Sequence, residues 1–263
     1  MPRSILKAKS DVVFKKLFTE NKDLLKDFIS QILDIPPEKI EDITIINTEI
    51  PPESLSLKFV RLDLNLQTDK QMIDVEIQLY NDPDYRDRTL FYWAKLYVSD
   101  LEGGERYDKL KKAVAVNIID FNMFDDDYQH REIQAIDRET GEVFSDKFSI
   151  HFFELKKLKK EIDPNNRKDL WLQFLNAEEE EEFEMIKNTN VSAMEKAVNV
   201  LYDMSEDPQV REMVRLREKA LHDEASIVAN AENKARAEER SKIAEKLRKR
   251  GMTEKEIEQI FNE

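Results

Sequence analysis

The sequence predicts an α/β protein: a mixed β-sheet flanked by helices, followed by an α-helical C-terminal extension. Three observations predict it. Residues 59–79 (FVRLDLNLQTDKQMIDVEIQL) alternate apolar and polar with period two on both arms of a polar turn, the pattern of an antiparallel hairpin with one buried face. Residues 113–121 (AVAVNIIDF) are almost continuously apolar, which suits a central strand covered on both faces. After Leu155 the strand signal stops and helical composition takes over.

The elements follow in order. Val13, Leu17 and Phe18 share one helical face. Leu24, Leu25, Phe28, Ile29, Ile32 and Leu33 give a second helix at the 3.6 period, stopped by Pro36-Pro37. A strand at Ile43–Ile46 precedes a loop at Pro51-Pro52. In the hairpin, Val60, Leu62, Leu64 and Leu66 alternate with Arg61, Asp63, Asn65 and Gln67. After a Thr68–Gln71 turn, Ile73, Val75, Ile77 and Leu79 alternate with Met72, Asp74, Glu76 and Gln78. A helix at about 86–101 has Leu90, Ala94, Tyr97, Val98 and Leu101 as its apolar stripe, with Gly103-Gly104 as its stop. Two further strands in 131–155 meet across Glu139–Glu142. Helices are expected at 169–177, at 191–204, from about 207 to 249, and after Thr253. Gly251 is the expected C-cap of the long one, and Thr253 with Glu256 forms a capping box for the last.

Composition narrows the chemistry. The 40% hydrophobic content supports a real core, while 37% charged residues point to long exposed helices. With 4 Gly and neither G-x-x-x-x-G-K nor G-x-G-x-x-G, glycine-loop nucleotide sites are disfavoured. No cysteine is present, which excludes disulfides, zinc thiolates and cysteine nucleophiles. His130, His151 and His222 are scattered, so a histidine-rich zinc site is not expected. The opening MPRSILKAKSD has no apolar signal core and no 18-residue apolar run occurs, so no membrane is expected and the cytoplasm is the default compartment. The net charge of −14 opposes a nucleic-acid partner. That charge is unevenly spread: residues 178–184 hold six Glu, whereas 234–250 hold eight Lys or Arg against three Glu.

The hairpin carries the candidate chemistry. A turn of two to four residues sets Asp63 directly opposite Glu76, with Gln78 two residues on along the same face. Cross-strand Cβ atoms lie about 4.5–5.5 Å apart, so two carboxylates share one patch. Their repulsion is resolved by a divalent cation, and magnesium takes one or two carboxylates plus waters and substrate phosphate. A solvated polar face is the ordinary alternative. Against it, Asp63, Asn65 and Asp74 all fall in mid-strand, where Asp and Asn are disfavoured. The following helix carries Arg86 and, on one stripe, Arg88, Tyr92 and Lys95, either to meet a phosphate or as a solvated face.

These residues resemble a known family. R-L-D (61–63), D-V-E-I-Q (74–78), R-D-R-x-x-x-Y-W (86–93) and G-G-E-R-Y (103–107) are similar to the PD-(D/E)XK nuclease family of transposases, the recombination-promoting nucleases. D-V-V-F-K-K-L-F (11–18) resembles that family's first helix, and F-F-E-L-K-K-L (152–158) the end of its catalytic domain. The resemblance covers about residues 8–160. It implies a restriction-endonuclease-like core that binds magnesium, with manganese as an alternative, and hydrolyses DNA phosphodiesters. Carried over by position, Asp63 and Glu76 are the two metal-binding acids, the Ile77 carbonyl completes the shell, and Gln78 stands where the motif has Lys. Asp11 matches an acid of the first helix, or else serves as a first-turn acid. Glutamine only hydrogen-bonds, so Lys95 or Lys15 is the expected source of the missing cation. Glu154-Leu155-Lys156 is a literal E-x-K about 90 residues past Asp63, and a structural role is expected for it.

The expected organisation is a nuclease core at 1–160, a helical subdomain at 161–206, and a long charged helix with a short terminal helix at 207–263. The expected activity is a magnesium-dependent DNA endonuclease associated with transposition or recombination. The alternative is a catalytically weak or inactive DNA-binding or assembly protein on the same scaffold. KIAEKLRKRGMTEKEIEQIF (242–261) resembles half of a helix-turn-helix, and a homodimer through the C-terminal helix is its competing explanation.

Overall fold

The structure is a computed structural model that describes residues 5–40, 42–46, 49–50, 60–61, 63–68, 70–99, 101, 104–253, 256 and 260–261. The chain divides into two compact units, Met1–Arg211 and Glu212–Glu263. Residues 161–206 fall within the first unit.

That unit opens with α1 (Asp11–Glu20) and α2 (Lys22–Ile32), which bury the apolar positions the 3.6 period picks out: Val13, Leu17, Phe18, Leu24, Leu25, Phe28, Ile29 and Ile32. Phe18 and Phe28 stack at 4.6 Å and both pack on Trp171. The strands are β1 (Thr44–Ile45), β2 (Glu49–Ile50), β3 (Val60–Arg61), β4 (Leu64–Gln67), β5 (Gln71–Gln78), β6 (Lys112–Ile119), β7 (His130–Ile136) and β8 (Val143–Glu154). Six form one mixed sheet in the order β1-β4-β5-β6-β8-β7. The pairs β5·β6 and β6·β8 are parallel, while β1·β4, β4·β5 and β7·β8 are antiparallel. β6 is the central strand of the apolar run and is buried on both faces. α3 (Tyr85–Val98) packs on β5 and β6.

Three expectations need correction. The first hairpin arm is not one strand. β3 turns away to pair with β2, and only β4 continues the ladder to β5; Leu62, between them, lies outside the described residues, as does the Pro51-Pro52 loop. The even face of β5 is not solvated either, because α3 lies on it and Asn65 and Asp74 are buried. Finally, α3 buries Tyr85, Thr89 and Leu96 rather than the expected stripe, and Leu90 and Val98 are half exposed. It ends at Val98 on the Ser99 cap, several residues before Gly104. Gly103 lies outside the described residues.

The remaining helices are α4 (Arg167–Asn176), α5 (Glu180–Lys187), α6 (Ser192–Glu206) and α7 (Pro208–Lys249). α4 and α6 pack on α2, and α6 also on α1. α5 was not expected: its apolar residues, Phe183 and Ile186, sit in the Glu-rich run, and Glu179 and Glu182 close a capping box around its start. In α7 the end is as the sequence predicts. Gly251 takes φ +88°, with Met252 N–H bonded to Leu247 O and Gly251 N–H to Arg248 O, the Schellman arrangement. Thr253 and Glu256 exchange the capping-box hydrogen bonds. Most of the short helix expected beyond them lies outside the described residues. Among the described residues no helix is long and apolar enough to cross a membrane.

Candidate active site

The site forms where the β4–β5 ladder stops. Register runs Gln67↔Met72, Leu66↔Ile73, Asn65↔Asp74 and Leu64↔Val75. One step further, Asp63 falls opposite Glu76, as turn length and face matching predict. Asp63 sits at a bend, and its groups replace the missing ladder bonds. Its backbone N–H donates to Glu76 Oε1 at 2.9 Å, and its Oδ2 accepts the Ile77 N–H at 2.9 Å. A strand residue points its N–H and C=O to the same neighbour. The Ile77 carbonyl therefore faces the side from which Asp63 arrives.

Burial makes this patch costly. The Glu76 carboxyl is pushed up to about 8 by burial and by the Asp63 charge, against the Asp63 N–H, Arg88 and Lys15, which favour its ionised form. Asp74, 1% exposed, is driven well above the usual carboxylate range by burial, then by Glu76 and Asp63. Its Oδ1 has no hydrogen-bond partner among the described residues. A buried, incompletely satisfied carboxylate beside two others is a setting that a cation relieves.

α3 forms the wall opposite. Tyr85 Oη donates to Asn117 Oδ1 at 2.9 Å, and Thr89 Oγ1 lies 3.2 Å from the same oxygen. Ala113 and Ala115 on β6 are small enough to let the helix approach. α3 thereby brings Arg88 to the end of β5. Arg88 Nη2 donates to Gln78 Oε1 at 2.9 Å and Nη1 to Asp82 Oδ2 at 3.1 Å. The guanidinium also lies 4.8 Å from the Tyr85 ring centre and 6.0 Å from that of Tyr92. The Tyr92 hydroxyl is raised by burial and by the Glu76 charge.

The other expected residues divide. Lys15 on α1 acts on Glu76. Asp11, one turn earlier, has its Oδ1 2.8 Å from the Val12 N–H, as a first-turn acid does. Lys95, two turns past Arg88, is half-buried on α3, and Arg88 bonds Gln78. Glu154 is structural: its Oε1 accepts Met123 N–H at 2.6 Å and its Oε2 meets Lys157 Nζ at 2.7 Å. Two contributors escaped sequence reasoning. Asn117 had a signal, the lone polar residue inside 113–119; Asp82, in the loop before α3, had none. The histidines scattered in sequence are partly brought together by the β7·β8 pairing, which sets His130 Nε2 3.1 Å from His151 Nδ1. Among the described residues no three His, Asp or Glu side chains converge as a metal site. The donor set at the ladder's end is two carboxylates and a carbonyl.

A model of the PD-(D/E)XK nuclease family transposases matches residues 8–231. The chain belongs to that family. The match takes in the sheet, the Asp63–Glu76 patch and α3, and runs on through α4–α6 into α7, well past the motifs that carry the resemblance in sequence. No curated protein and no solved structure matches the chain. Membership in the PD-(D/E)XK family makes a nuclease or transposase the kind of function this chain has, with DNA as the implied substrate.

Proposed function

We propose that this chain is a divalent-metal-dependent DNA endonuclease acting in transposition or recombination, with Asp63 and Glu76 as its metal-binding acids. The observation that carries this is the reciprocal bonding of the two acids where β4 leaves β5. The residues present suit a small hard cation: two carboxylates and the Ile77 carbonyl supply oxygen donors, and the buried Asp74 Oδ1 beside them has no hydrogen-bond partner among the described residues. Magnesium fits this set, and manganese takes the same donors. When bound, the ion polarises the phosphodiester and activates water. The protein's part is to hold the acids apart from bulk solvent, to orient the Gln78 amide at the strand end, and to present Arg88, Tyr92 and Lys15 around the patch. DNA enters as phosphate against that wall. Residues 234–250, the last turns of α7 and the residue after it, with five excess positive charges, are assigned to DNA affinity.

The second reading, an inactive DNA-binding or assembly protein, is favoured by the missing Lys at position 78 and by the −14 charge. Calorimetric titration separates the two. The wild type should bind Mn²⁺ and Mg²⁺, Asp63→Ala and Glu76→Ala should weaken binding at least about 10-fold, and a chain cut after residue 211 should keep the metal and lose DNA affinity. Metal binding that ignores both acids sinks the site assignment.

A further inference from the structure

Gln78 ends β5, and α3 starts seven residues later at Tyr85, so the first turn of α3 returns over the strand end. The Gln78 amide is oriented at both ends. Its Nε2 donates to the Tyr80 carbonyl at 2.8 Å, which turns Oε1 toward Arg88. Arg88 is restrained on three sides: Gln78 Oε1 and Asp82 Oδ2 each take one N–H, and the Tyr85 ring lies under the guanidinium plane at 4.8 Å. We infer that Arg88 is the catalytic cation of this site, and that Gln78 is a positioning residue which holds its guanidinium where the motif's lysine would otherwise act. This rests on the nuclease reading of Asp63 and Glu76.

The chemistry favours this division of labour. A guanidinium has five N–H donors in a planar fork, of which two are committed here, leaving others to meet the charge that develops on a phosphodiester. Glutamine has no charge to offer that oxygen. Lys15 lies on α1, and it is Arg88 that bonds the residue at the motif position. A purely structural Arg88, with its ion pair to Asp82 about one-third exposed, would contribute little to stability and nothing specific to the reaction.

Single-turnover cleavage of a DNA duplex in Mg²⁺ by the full chain tests this. Arg88→Gln should slow cleavage about 100-fold, while Mn²⁺ affinity and melting temperature stay near wild type. Gln78→Leu, which leaves Arg88 in place but unheld, should slow it at least about 10-fold, and carries the test should Arg88→Gln not fold. Gln78→Lys in the Arg88→Gln background should recover most of the loss, because the charge returns at the motif position. Cleavage by Arg88→Gln at the wild-type rate, or no recovery in the double variant, overturns the inference and leaves the nuclease reading intact. A wild type that does not cleave in any metal overturns both.

Discussion

Asp63 and Glu76 are bonded to each other's strands before any metal is considered, and each is strained by the other's charge. Their juxtaposition was legible in the sequence, because period-two alternation and turn length fix the register. The bond between Arg88 and Gln78 was not legible. It depends on how a loop returns α3 to the end of β5, and periodicity carries no information on that. The titration of Glu76 gives a stability test. Its folded value of about 8 lies above the ordinary carboxylate value, so its contribution to stability is present at low pH and is lost as pH rises through 8. His151 works the other way: burial lowers it to about 4, so stability is lost as pH falls from 6.5 toward that value. Between pH 7 and 8 His151 is neutral folded or unfolded, and the carboxylates control the slope. Metal-free melting temperature should therefore fall from pH 7 to 8. Glu76→Gln should shrink the fall, and Mg²⁺ should raise the melting point more at pH 8, where the carboxylates are ready to bind it. An equal slope in wild type and variant removes Glu76 as its cause.

At the scale of elements, the sequence resolved the long periodic pieces and missed those whose anchoring is polar. α1, α2 and β5 bury the positions their periods pick out, and β6 buries its apolar run. α3 does not, because it is held by rings and hydroxyls, with Tyr85 and Thr89 meeting at Asn117, and an apolar count passes over such residues. α5 was hidden because its two buried residues stand among glutamates. Asn117→Leu tests the anchoring of α3. It keeps the branched shape but strands the Tyr85 hydroxyl in a buried place and opens the Asn117 bond to the His151 carbonyl. The expected cost is about 1–3 kcal/mol, read as a lower denaturation midpoint at unchanged slope. An unchanged midpoint means that α3 is held by its rings alone.

The whole chain joins an acidic body to a segment of opposite sign. The net charge of −14 is concentrated partly in the glutamates around α5, while the last third of α7 carries the positive excess. An average charge is a poor guide to a partner that is met at one face. The family match reaches residue 231, so the family pattern includes the start of α7 and stops short of that basic stretch. The central claim, that DNA is cut at the Asp63–Glu76 patch, is tested most directly by nicking of supercoiled plasmid with the full chain. Wild type with Mg²⁺ should convert supercoiled DNA to open circles, lose that activity in excess EDTA, and lose it again in Asp63→Ala at an unchanged melting temperature. Undiminished nicking by Asp63→Ala would contradict it.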